Sequence, residues 1–193
     1  MMRLYNLEVH GIDRAMRGLA RSFNAPIDRM QGRAMKLAPL DKGHNKFLRM
    51  IQLWVEVEAP RFWWAEYDTY KIGTTAQSDS TMHTLTKAPL TQADFEYPLL
   101  NNYLKFLNHC IEGQIDLLDI KNALPEGFIQ GRSLNLNYAT LREITLQRHS
   151  HKLPQWQFFL TYLLRRIPQP ELLGIPSDIY MKLVGNKIAS DKK

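Results

Sequence analysis

The chain holds a single cysteine, Cys110, which excludes an intrachain disulfide framework and fits a reducing compartment. No apolar run approaches the roughly 20 residues that a membrane-spanning helix needs. The first ten residues carry polar side chains throughout, so no secretory leader is expected either. Neither GxGxxG nor GxxxxGK[ST] occurs, which removes a Rossmann dinucleotide turn and a P-loop. HExxH, paired CxxC and GxSxG are also missing. His149 and His151 are two apart, a spacing that does not converge on one ion from a helix, so no metal is expected. These absences leave the expectation of a cytoplasmic globular protein with no membrane partner.

The 193 residues suit one domain with a real core, and 45% hydrophobic with 23% charged residues is a globular balance. The net charge of +6 favours polyanions, and nucleic acid or a nucleotide phosphate would both satisfy it. Part of the excess sits in Lys187, Lys192 and Lys193, which read as a solvated end. No long Lys/Arg block and no alternation of basic and aromatic residues accompanies it, so nucleic acid is the less favoured partner.

Hydrophobic spacing points to a mixed α+β (α/β) domain covering residues 1–193, a small sheet packed with several helices. "RLYNLEVHG" alternates Tyr5, Leu7 and Val9 against Asn6, Glu8 and His10, as a half-buried strand does. "MIQLWVEVE" places Ile51, Leu53, Val55 and Val57 on one face of a second strand, and "RSLNLNY" alternates again. Helical spacing marks "GIDRAMRGLARSF", "ATLREITLQR" and "PQWQFFLTYLLRRI". Thr91 and Asp94 form a cap-like start to a helix running toward Gly113, and Ser177 a cap for a small helix in the Pro-broken basic extension 168–193.

One stretch departs from this pattern. "APRFWWAEYDTYKIGTTAQSDSTMHTL" packs two Trp, two Tyr and a Phe into an aromatic helix after Pro60. Past the stop signal Gly73 it turns into small polar side chains, among them Thr74, Gln77, Ser78 and Ser80. Such a loop offers hydroxyls and amides to a ligand, and it reads equally as a plain solvated turn. Trp63, Trp64 and Tyr67 read as core.

In two blocks the chain resembles the flavin-dependent thymidylate synthases. "GHNKFLRMIQLWVEVEAPRFWW" lays without a gap onto that family's His, strand, Ala-Pro and aromatic helix, with His44 at the flavin-contacting His. Leu124-Pro125, Asn137 twelve residues later, Arg148 and Gln155-Trp156 match the second block, Gln-Trp one residue late. The departures are specific. The family's Arg-His-Arg triplet is Thr69-Tyr70-Lys71 here, and its loop Ser-x-Asn-Glu-x-Ser-x-Arg has lost its Arg in either register. The helix-start Arg is Ala139, and a Gln on the aromatic helix is Glu66. The chain is also similar to uncharacterised tailed-phage proteins with a "QSxMH" loop and a "QRxxHxLPxW" segment, here Gln77–His83 and Gln147–Trp156.

The resemblance implies a thymidylate synthase-like fold, FAD as the cofactor, dUMP as the substrate and a homo-oligomer, tetramer or dimer, with sites between chains. It places His44, Tyr70 and Lys71 at the cofactor. Thr74, Gln77, Ser78, Ser80, Lys121, Asn137 and Arg148 fall at the substrate, with Arg148 the catalytic group because the family's Arg reaches the uracil ring. His44 has a second reading as a cap at a strand entrance. Arg148 has one as a helix C-terminal cation favoured by the macrodipole. Each charge-assisted contact contributes about 1.5–3 kcal/mol, so the arginines lost from the triplet, the loop and the helix start weaken the grip on phosphate by several such increments. The expectation is therefore a divergent phage-type homologue that binds a nucleotide or related phosphate-bearing ligand without full synthase activity. The alternatives are an active enzyme converting dUMP to dTMP, and an accessory protein that sequesters a nucleotide or binds a host protein or DNA. In every case a segment ending in hydroxyls and a segment ending in a guanidinium are expected to share a cavity.

Overall fold

A computed structural model describes residues 1–40 and 43–185; the basic tail Lys187, Lys192 and Lys193 lies outside the described residues. The fold is α+β. Strands β1 (Arg3–His10), β2 (Gln52–Pro60), β3 (Thr74–Ser78) and β4 (Ile129–Asn137) form one antiparallel sheet in the order β1-β2-β4-β3. Helices α1 (Ile12–Phe23) and α2 (Met30–Leu37) lie between β1 and β2, and α3 (Arg61–Tyr67) follows β2. Between β3 and β4 come α4 (Thr81–Thr84), α5 (Asn101–Glu112) and α6 (Leu117–Ala123). After β4 come α7 (Tyr138–Arg148), α8 (Pro154–Arg166) and α9 (Ser177–Val184). The chain divides into two compact units: Met1–Tyr5, Glu56–Thr69 and Ala76–Ser133 in the first, and Asn6–Val55, Tyr70–Thr75 and Leu134–Lys193 in the second.

In the first unit Leu85, Leu90, Phe95, Leu107, Ile120 and Leu124 form one apolar cluster, against which Leu104, Ile111 and the half-buried Cys110 pack. The aromatic helix α3 buries Trp63, Trp64 and Tyr67 almost completely, as core. The Trp64 indole N–H donates to the Gln130 carbonyl at 2.9 Å, and Arg132 stacks 4.3 Å from the Trp64 ring while pairing with Asp68 at 2.6 Å. Burial pushes the Tyr67 hydroxyl well above its ordinary pKa, so this aromatic group stays neutral. The core of the second unit contains Leu53, Val55, Leu134, Leu136, Tyr138, Trp156 and Phe159, all essentially inaccessible.

Three local expectations need correction. In β1, Leu4 is buried while Tyr5 is exposed and meets Glu58 through its hydroxyl. Asn6 adopts a left-handed φ of 51°, which swaps the faces and returns Leu7 and Val9 to the half-buried side. The Thr91–Asp94 capping box is present, but it closes a 3₁₀ turn over Gln92–Asp94. The helix itself starts at Asn101, after Pro98, because a proline lacks the N–H that would continue the turn. Ser177 is the first residue of α9, with Pro176 in the cap position and no side-chain cap.

Candidate functional site

Arg148 sits on the last turn of α7, where a cation complements the helix macrodipole. The helix starts at Tyr138 because the Asn137 carboxamide oxygen accepts the Thr140 backbone N–H at 2.9 Å. Pro154 at the first position of α8 starts the helix that carries the buried Trp156. The Arg148 guanidinium carbon lies 5.0 Å from the Trp156 ring centroid and 5.6 Å from that of Tyr70. Its Nε–H donates to the Tyr70 hydroxyl at 2.8 Å, and that hydroxyl donates to Gln147 Oε1 at 3.0 Å. Tyr70 and Trp156 meet edge to face at 5.9 Å. The half-buried cation is thus fixed by the rings of Tyr70 and Trp156 and by the Tyr70 hydroxyl.

The turn that delivers Tyr70 is latched from α7. Gly73 has φ 75°, and a Cβ there would fall 2.5 Å from Asn137 Nδ2 and collide with Thr140 Oγ1, so only glycine fits. Asn137 Nδ2 donates to the Gly73 carbonyl at 3.4 Å, and Thr140 Oγ1 donates to that of Ile72 at 3.2 Å. The Thr74 hydroxyl donates to the Tyr70 carbonyl at 2.5 Å. Two residues expected at the ligand, Thr74 and Asn137, therefore have side-chain bonds that hold this turn. Lys71 beside them is exposed.

The remaining polar residues of the stretch lie in the first unit. The expected loop is instead strand β3, carrying Gln77 and Ser78, followed by Ser80 ahead of α4. Propensity undervalues this strand, since it forms by pairing with β4: Asp79 N–H donates to the Gly131 carbonyl at 2.9 Å, and the Asp79 carboxylate accepts the Gly131 N–H at 3.2 Å. Gln77, Ser78 and Ser80 are exposed, and the Lys121 ammonium lies 3.4 Å from Met82 Sδ.

His44 belongs to a different feature of the second unit. It lines a cavity of about 450 Å³ together with Gly18, Leu19, Ser22, Phe23, Leu37, Gly43, Lys46, Phe47 and Met50, a size ordinary for a small-molecule site. None of the other expected site residues lines it. Arg33 covers the Phe23 ring at 4.0 Å. Sequence reasoning missed Ser22 and Lys46, which follow no motif, and missed Gln147 and Trp156 as holders of Arg148. The Gln-Trp pair that marks the family was the signal for Trp156. Among the described residues no group of three or more His, Cys, Asp or Glu is placed to hold a metal ion. No helix among them is long and apolar enough to cross a membrane.

No family model matches the chain, and no curated protein matches it in sequence. Solved structures do match, and they define the class: the fold is that of the flavin-dependent thymidylate synthases. In particular, thymidylate synthase X of Helicobacter pylori, with FAD and dUMP, superposes with a TM-score of 0.74 at 16% identity, over 93% of this chain and 99% of that one. A second structure of the Helicobacter pylori enzyme, complexed with FAD and dUMP, gives 0.70 at 18% identity over 91% and 99%. The UMP/dUMP methylase PolB of Streptomyces cacaoi, bound with 5-Br dUMP, gives 0.62 at 10% identity over 86% and 88%.

Proposed function

We propose that this protein binds a pyrimidine nucleotide through Arg148 on a thymidylate synthase-like scaffold, with full synthase activity lost. The observation that carries the reading is the fixed guanidinium between Tyr70 and Trp156. A guanidinium presents donors only, in a rigid plane, and holding it in place before a ligand arrives removes part of the ordering cost of binding. A pyrimidine base with ring carbonyls is the matching acceptor, and the solved relatives of this fold hold dUMP or its 5-bromo derivative. Lys71, and Gln77, Ser78 and Ser80 with Lys121, are the groups assigned to the phosphate end, in a homo-oligomer whose sites draw on more than one chain.

A second reading, an active flavin enzyme converting dUMP to dTMP, is favoured by the cavity at His44. Its apolar walls Phe23, Phe47 and Met50 suit a flat ring system, and Ser22, His44 and Lys46 supply polar contacts. The fit extends to the flavin ring and to one negative charge at Lys46; among the described residues no arginine lines the cavity for a pyrophosphate. A flavin held there would supply reducing equivalents for methylene transfer. The chain's own part would be to seat the ring at His44 and to orient the base at Arg148.

Purified protein separates the two readings. The first predicts a colourless preparation whose melting temperature rises with dUMP and which does not rescue a thymidine auxotroph. A yellow preparation that rescues growth establishes the second. Absence of any stabilisation by dUMP, dTMP or UMP removes both.

A further inference from the structure

We propose that Tyr70 is the positioning residue for Arg148. Its hydroxyl, oriented by Gln147, fixes the guanidinium so that the site distinguishes a uracil ring from a cytosine ring. The proposal rests on the reading that Arg148 faces the base of a pyrimidine nucleotide, and it adds how selectivity arises there.

A phenol has one proton and two acceptor lone pairs. Here the proton goes to Gln147 Oε1 at 3.0 Å, which leaves a lone pair to receive the Arg148 Nε–H at 2.8 Å. Gln147 therefore sets the polarity of the whole relay. Gln147 and Arg148 are successive residues on the last turn of α7, and one hydroxyl ties both. Trp156, 5.0 Å from the guanidinium and 5.9 Å from the Tyr70 ring, restricts the plane in which the cation turns. The backbone that presents Tyr70 is itself latched, through Thr74 to the Tyr70 carbonyl and through Thr140 to Ile72. Position and orientation are thus fixed from two directions.

The consequence is chemical. A donor-only cation favours the carbonyl at position 4 of uracil and opposes the amino group that cytosine carries there. Discrimination of this kind needs a cation that cannot swing away from the mismatched group. Tyr70 stands where the resembling family keeps the His of its Arg-His-Arg triplet, and a phenol reaches farther than an imidazole. The clamp is a device of this chain's own residues.

The test uses the full-length protein and three variants. Tyr70→Phe keeps the ring and removes the hydroxyl, Gln147→Ala removes the exposed acceptor that orients it, and Arg148→Lys assigns the Nε–H resonance by its disappearance. Isothermal titration with dUMP and dCMP measures selectivity, and proton-exchange NMR measures protection of the Arg148 Nε–H. Tyr70→Phe is expected to weaken dUMP about tenfold, as for loss of a hydrogen bond to a charged group. The dCMP-to-dUMP ratio of dissociation constants is expected to fall toward one, and the Nε–H to exchange rapidly. Gln147→Ala gives intermediate values of all three. A purely structural role would weaken both nucleotides alike and leave their ratio unchanged, which overturns the proposal. Unchanged Nε–H protection in a folded Tyr70→Phe protein that still prefers dUMP also overturns it and leaves the nucleotide reading intact. If the wild type binds neither nucleotide, the nucleotide reading and the selectivity claim fall together. The exchange comparison then still accepts or rejects Tyr70 as the group that positions Arg148.

Discussion

Around Arg148, the rings of Tyr70 and Trp156 and the Tyr70 hydroxyl hold one cation; along Gln77, Ser78 and Ser80, the side chains stand exposed on a short strand and the turn beyond it. The proposed reading gives the first stretch the base of a nucleotide and the second stretch its phosphate. They differ in what has been settled before a ligand arrives. The first has its rotamers fixed by packing and hydrogen bonds, so binding there loses little further freedom. The second must order flexible side chains on binding, at roughly 0.5–1.5 kcal/mol for each rotamer-rich one. Under the proposed reading, recognition lies at the Arg148 corner and the polar segment makes a weaker, adaptable contribution.

The latch beneath Tyr70 offers the strongest way to break that contrast. Gly73→Ala forces a Cβ into the left-handed region and against Asn137 and Thr140. A stability loss of about 1–3 kcal/mol is expected in urea unfolding, as for other strained backbone positions. A Gly73→Ala protein as stable as the wild type would show that the turn relaxes freely and that Tyr70 is not rigidly presented.

A milder change sharpens the same point. Asn137→Ala removes the α7 cap and one bond to Gly73. The expected cost is about 1 kcal/mol. Because the variant touches the latch and leaves the guanidinium's own partners in place, its nucleotide affinity should fall far less than that of Tyr70→Phe. A larger loss of affinity than of stability would place Asn137 at the ligand itself, as the family resemblance implies.

High pH gives the smallest and most diffuse effect. The Tyr138 hydroxyl donates to the Pro168 carbonyl at 2.6 Å, and burial raises its pKa well above the ordinary 10.0. A raised folded-state value means that the stability it contributes is present in full below about pH 10 and is lost as pH rises beyond it. Tyr138→Phe should therefore flatten the alkaline end of the stability profile measured by urea unfolding between pH 9 and 11, as estimated from the ordinary tyrosine range of about 10. An unchanged slope would show that the Tyr138 proton does not drive the loss.

Much of the fold was legible because apolar spacing and caps act locally. The stripe of Leu53, Val55 and Val57 is buried as its alternation requires, and Pro154 opens α8 where a proline is tolerated. The failures came from tertiary terms. No propensity announces that Asn6 reverses the faces of β1, or that Thr74–Ser78 becomes a strand by pairing with β4. The register of the second block points to Arg148, but the residues that hold its guanidinium are not legible there. Tyr70 is 78 residues away along the chain, and no spacing announces that its hydroxyl meets Arg148 and Gln147. The cavity at His44 is assembled from α1, the end of α2 and the segment before β2, and sequence spacing says nothing of such an enclosure.

The most direct measurement is the affinity of dUMP for the wild type, for Arg148→Ala and for a protein with Gln77, Ser78 and Ser80 all changed to Ala. Losing a charge-assisted contact at a fixed cation should weaken binding by about 10- to 100-fold, whereas the triple change should weaken it by less than about fivefold, since neutral exposed contacts contribute little. Equal affinity of the wild type and Arg148→Ala, or a greater loss in the triple variant, would contradict the assignment of recognition to Arg148.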